Sequence, residues 1–310
     1  MKITIFAGKG GVGKSTSAVA YALSQAEKKK VLLIDYDGGH SLARVLAFEG
    51  REFESNAVNY TGIANMYLAV VDDFPFDPIA NKKKSREEVQ AYLAQFTGDY
   101  GLLPFMDMIT SFFGAPTDIS STSKFLSLIH LYHEAEEKGI GSIVVDVEPT
   151  AGLERLLNGT EVVTRSLRNL QSSGWMTIKT IGAKWPDIAE FIKSDYVKNA
   201  DVYTRRMVDT SNVIRSARYV VVTIPESSPV AQMSEVQNLI ESFGGQVAGY
   251  VINNIRQEKH ELEQIERVMA LAGKNSLVAR IAHDSNLCDS KPSLRRKALR
   301  EAGSIISRVC

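Results

Sequence analysis

Lys14 and Ser15 close the stretch Gly8-Lys9-Gly10-Gly11-Val12-Gly13-Lys14-Ser15, which fits the spacing G-x-x-x-x-G-K-[ST]. That is the pattern of a loop that cradles phosphates. Bare backbone N–H groups reach phosphate oxygens only where side chains are missing, and Gly8, Gly10, Gly11 and Gly13 provide that access. Lys14 then faces the outer phosphates as a cation, and the Ser15 hydroxyl is placed to hold Mg²⁺. Val12 and Thr16 complete the set of residues expected at a bound nucleotide. Such a loop needs a strand before it and a helix after it. The apolar run Ile3-Thr4-Ile5-Phe6-Ala7 and the helix-forming run 16–27 supply both, and the helix adds its positive N-terminal end.

Two further apolar runs end in carboxylates. Leu33-Ile34-Asp35-Tyr36-Asp37-Gly38 puts Asp37 just beyond a strand end, where open α/β sheets bind ligands. Asp37 is a candidate to orient an attacking water, directly or with Mg²⁺, and it also reads as a helix N-cap. Asp35, further inside, reads as a structural hydrogen-bonded carboxylate as well as a site residue. Ile143-Val144-Val145-Asp146 ends in the carboxylate expected to hold Mg²⁺ through its water shell. Glu148 reads as a loop carboxylate facing solvent rather than a base.

Lys9 is a second cation in the loop. With Lys14 serving its own chain, Lys9 can point outward, towards phosphates held by a second subunit. In this the chain resembles the deviant Walker A ATPases, which include the ParA, MinD, nitrogenase iron protein and arsenite-pump families. The resemblance implies ATP and Mg²⁺ as cofactors and a homodimer joined across the nucleotide. It also implies Lys9 acting on the partner's phosphates alongside Lys14 and Asp37 as the catalytic groups.

Within that group the chain most resembles the arsenite-pump and tail-anchored-protein-targeting ATPases. Asp37-Gly38-Gly39-His40-Ser41-Leu42 is similar to their first switch, D-P-A-H-[NS]-L, and the stretch from Asp146 to Leu157 is similar to their second. Asn253, with Asn254 beside it, matches the asparagine that contacts adenine in the family, and a strand-end Asn also caps a following helix. The loop from Ala282 to Asn286 could flank the base or ribose. Gly38 replaces the family's proline and Gly152 its histidine. The chain lacks a C-x-x-C pair, so neither the family's zinc nor an iron–sulfur cluster is expected.

These residues must be positioned by a frame. Strands are expected near 2–7, 31–36, 66–71, 142–147, 219–224, 247–252 and 277–281, several of them continuous Val/Ile/Leu runs of the kind buried on both faces. Alternation with helices predicts an α/β fold, a doubly wound and mostly parallel sheet. We expect a single domain over 1–310, with helical insertion segments at about 72–135 and 155–215 that are too long for simple crossovers. The apolar stretch Gly101–Gly114 and a cluster from Trp175 to Phe191 could receive a hydrophobic or membrane-protein client, and they read equally as the insertion's own core.

The chain has 310 residues, with 36 Lys plus Arg against 36 Asp plus Glu. This balance gives no global field that favours DNA or an anionic membrane. A basic, amphipathic stretch from Leu294 to Cys310 could nevertheless touch either, or pack as a last helix. The two cysteines read as reduced thiols, and no secretory signal or membrane span is expected. The expectation is a cytoplasmic protein, peripheral at a membrane at most. It would be a homodimeric, slowly hydrolysing ATP switch that captures or releases a client. The alternatives are a ParA/MinD-type positioning ATPase and a nucleotide-binding module without turnover.

Overall fold

The computed structural model describes residues 1–38, 41–48, 52–72, 119–147, 150–169, 208–273, 276–288 and 291–310. The chain divides into two compact units. One comprises Met1–Asp72, Leu131–Leu157 and Arg215–Cys310, and the other comprises Asp73–His130 and Asn158–Ile214.

The first unit carries an eight-stranded sheet. In chain order its elements are β1 (Lys2–Ala7), α1 (Lys14–Ala26), β2 (Val31–Asp35), α2 (Ser41–Val45), β3 (Asn59–Tyr60) and β4 (Met66–Val70). Next come α3 (Ile119–Glu137), β5 (Ser142–Asp146) and α4 (Ala151–Asn169), where α3 begins and α4 ends in the second unit. Then follow β6 (Arg218–Thr223), α5 (Ser227–Ala231), α6 (Met233–Ser242), β7 (Gln246–Ile255), α7 (Lys259–Ala272), β8 (Val278–Ala282) and α8 (Pro292–Ile306).

The strand order is β3-β4-β2-β5-β1-β6-β7-β8, and every pairing is parallel except β3 with β4. The expected doubly wound, mostly parallel sheet is therefore present. β2 and β5 are buried at every position, as near-continuous apolar strands covered on both faces must be. The antiparallel β3 was not anticipated. Two residues are too few for an alternation pattern, and the strand is held by Asn59 side-chain bonds to the Glu54 and Ala57 carbonyls.

α8 follows a Lys291 cap with Pro292 in its first turn, a position where the missing N–H costs nothing. Its apolar face, with Leu299, Ala302 and Ile306, is buried in the same core as Ala18, Tyr21 and Leu23 of α1. A Cβ on Gly303 would collide with the Ala20 carbonyl, so the two helices meet at backbone distance. Ser24 and Ser307 hydroxyls lie 2.9 Å apart beside this contact. The last helix is thus seated on the helix that follows the phosphate loop, with Ala298, Leu299, Ala302 and Ile306 covered and Leu294 exposed.

In the second unit, the described residues 119–130, 158–169 and 208–214 are helical, and Phe125, Leu128 and Ile129 are buried. The apolar stretches at 101–114 and 175–191 lie outside the described residues. Among the described residues no helix is long and apolar enough to cross a membrane.

Candidate functional site

The C-terminal ends of β1, β2 and β5 come together because of their register. Asp146 of β5 is the partner of Phe6 in β1 and of Asp35 in β2. The loop 8–13 leaves this edge and enters α1. Its shape is fixed by two neighbours. A Cβ on Gly8 would collide with the Val222 carbonyl oxygen at the end of β6. Gly13 has φ 88°, and a Cβ there would collide with the Asn253 amide. Left-handed backbone in close contact is glycine's domain.

Lys14 is buried, and its Nζ donates to the Lys9 carbonyl at 3.0 Å. Burial lowers its pKa, while Asp146 and Asp37 oppose that by favouring the cation. The Lys9 ammonium donates to Ser228 Oγ at 2.6 Å, at the exposed rim of the loop. Thr16 is half-buried in the first turn of α1, and Val12 is buried.

Ser15 Oγ donates to Ser41 Oγ at 3.4 Å, and Ser41 Oγ donates to Asp35 Oδ2 at the same distance. The Leu42 backbone N–H also donates to that oxygen, which ties the start of α2 to the end of β2. Asp146 is 3 % exposed. Burial first, then the charges of Asp35 and Asp37, push its carboxyl up to about 7, against a hydrogen bond from Ser15 and the Lys14 cation. Its Oδ1 has no hydrogen-bond partner among the described residues.

That donor set fits a magnesium ion. A buried carboxylate oxygen, a nearby hydroxyl and additional negative charge suit a hard cation that keeps several waters and phosphate oxygens. Ser15 and Asp146 would hold it. Among the described residues no group of three His, Cys, Asp or Glu comes together as an all-protein metal cage.

Asp37 is half-buried and acts on the charge of both Lys14 and Asp146. Gly38 after it has φ 73°, which proline cannot adopt. The backbone itself thus accounts for glycine at that point. Gly39, His40, Glu148 and Pro149 lie outside the described residues.

Asn253 and Asn254 sit at the end of β7 but do different things. Asn253 Nδ2 donates to the Val12 carbonyl at 3.1 Å and clasps the loop. Asn254 has φ 57°, and its Oδ1 lies 2.7 Å from His283 Nδ1, with the His283 backbone N–H bonded to Ile255. The 282–286 loop is therefore tied to β7 beside Asn253.

Sequence reasoning missed the roles of Ser41, Ser228 and the Asn253 amide. Ser41 lay within a stretch already singled out. Ser228 gave no signal, since it is 219 positions from Lys9 and is brought there only by the pairing of β1 with β6.

The chain is similar in sequence to several known ATPases. ATPase GET3 of Kluyveromyces lactis is 28% identical over 167 residues, which cover 52% of this chain and 45% of that protein. ATPase GET3B of Arabidopsis thaliana is 25% identical over 286 residues, 82% of this chain and 64% of that protein. Putative arsenical pump-driving ATPase 2 of Aquifex aeolicus is 48% identical over 50 residues, 16% of this chain and 17% of that protein. Each match spans less than two thirds of the relative's own length. Residues 1–276 match the sequence pattern of the anion-transporting ATPases, and with the phosphate loop seated against the ends of β1, β5 and β6 the chain belongs to that family.

Proposed function

We propose that this chain binds Mg²⁺–ATP at the loop 8–15 and hydrolyses it slowly as a homodimeric switch. The observation that carries the reading is the convergence of Ser15, Lys14, Asp37 and Asp146 at one sheet edge, with Asp146 buried and its Oδ1 lacking a hydrogen-bond partner among the described residues. The loop amides and Lys14 would neutralise charge on the phosphates. Asp37 would orient the attacking water, by analogy with the carboxylate and amide side chains that do so in other phosphoryl transfers. A Mg²⁺ ion held by Ser15 and by Asp146 through water would supply charge stabilisation at the outer phosphates. Family membership supports ATP as the nucleotide and hydrolysis as the reaction.

The switch reading extends this. Lys9 would act on the phosphates of a second subunit, as an arginine finger does in trans. Asn253 would contact the base once its amide leaves Val12, with Asn254, paired with His283, in the adjoining position. The single-domain organisation with helical insertions, a cytoplasmic location and a hydrophobic client belong to the same proposal.

Calorimetry with Mg²⁺–ATP, paired with phosphate release, tests it. Wild type should bind and turn over, Lys14→Ala should lose binding, and Asp37→Asn should bind without turnover. No heat on titration would end the reading. Binding with no release in wild type would leave a nucleotide-binding module.

A further inference from the structure

We propose that Ser228 is a positioning residue for Lys9. It holds the lysine on its own protomer, so that pairing across ATP requires this bond to exchange for a phosphate of the partner. The inference rests on the reading of Lys9 given above and concerns what restrains that lysine.

Lys9 is tied at both ends. Its carbonyl accepts from Lys14 Nζ at 3.0 Å, and its ammonium donates to Ser228 Oγ at 2.6 Å. Ser228 sits on a firm corner. The Glu226 N–H bonds back to the Ile224 carbonyl at 2.7 Å, Pro229 and Val230 are buried, and the preceding strand presses the Val222 carbonyl against Gly8. Ser228 is itself exposed, but the turn and helix start that carry it are fixed beside the loop by these contacts.

The chemistry of the bond suits a releasable hold. A neutral hydroxyl accepts weakly from an ammonium, whereas a phosphate oxygen accepts as an anion and competes strongly. Among the described residues no carboxylate pairs with Lys9. Lys14 Nζ has three N–H donors and can turn to its own phosphates while keeping the Lys9 carbonyl, so Ser228 is the restraint on the Lys9 ammonium. The end of β6 is thereby linked to the step at which two protomers pair.

The test is the mass of the protein in solution against concentration, with Mg²⁺ and a slowly hydrolysed ATP analogue. Wild type, Ser228→Ala, Ser228→Thr and Lys9→Ala are compared, with parallel runs without nucleotide. Each protomer must break one bond, so a gain of about threefold per protomer, the scale of one solvent-exposed hydrogen bond, becomes about tenfold for the pair. Ser228→Ala should therefore reach half-dimer at about tenfold lower protein concentration. Ser228→Thr should restore the wild-type value, and the masses without nucleotide should not change. In a Lys9→Ala background the Ser228→Ala gain should vanish, because it acts only through the lysine. If Lys9→Ala abolishes the dimer while Ser228→Ala matches or weakens wild-type pairing, the restraint is wrong and the trans-acting lysine stands. If Lys9→Ala pairs like wild type, the reading of Lys9 itself falls.

Discussion

Asp35 and Asp146 face each other as register partners at the ends of β2 and β5, and both are buried. Burial penalises the charge of each, and the two carboxylates also repel. The Asp146 carboxyl consequently sits at about 7 instead of its ordinary 3.8.

A stability profile follows from that pair. A carboxyl raised in the folded state binds its proton more tightly there than in the unfolded chain. Its contribution is thus favourable below about 4 and is lost as pH rises towards 7, a span worth on the order of 4 kcal/mol at full burial. Without Mg²⁺ or nucleotide, Asp146→Asn should remove that part of the pH dependence and be more stable than wild type at pH 8, as read by urea midpoints. The same variant should bind Mg²⁺–ATP more weakly. A variant profile parallel to wild type would refute the assignment.

Asn253 tests how the loop keeps its shape. Asn253→Ala removes the bond to the Val12 carbonyl and the wall behind Gly13. A loss of about 1 kcal/mol in loop preorganisation should weaken nucleotide binding roughly fivefold. Tm should change little. An unchanged dissociation constant would show that the loop is shaped without this clasp.

Gly38 tests the first carboxylate loop. Gly38→Pro cannot take φ 73° and should unseat Asp37 from Lys14 and Asp146. Phosphate release should fall at least tenfold, while Gly38→Asn, which tolerates left-handed backbone, should keep most of it. Equal loss in both variants would point away from the backbone as the cause.

Gly303→Ala probes the seat of α8. The new methyl meets the Ala20 carbonyl, and forcing the helices apart should cost about 1–3 kcal/mol by denaturant unfolding. An unchanged midpoint would mean that the helices separate freely.

The parts of the site that the sequence made legible are those written contiguously. Gly8 to Ser15 and Ile143 to Asp146 each carry their strand, their loop and their chemistry in one run, so local pattern suffices. The sheet was legible for the same reason, its central strands being unbroken apolar runs. What escaped is made by contact between distant segments. The bond from the Asn253 amide to the Val12 carbonyl, 241 positions away, is of this kind, since a strand end reveals location but not partner. The register that sets Asp35 against Asp146, so that its charge adds to burial in raising that carboxyl, is likewise made between distant strands. β3 was invisible because two residues hold no period.

The contact between Ser24 and Ser307 spans 283 positions of chain. At ribosomal speeds of about 5–20 residues per second, the helix after the loop emerges on the order of 15 to 60 s before its mate exists. Until then α1 is covered by the earlier strands and by α2 alone, and the Ala20 carbonyl waits for Gly303.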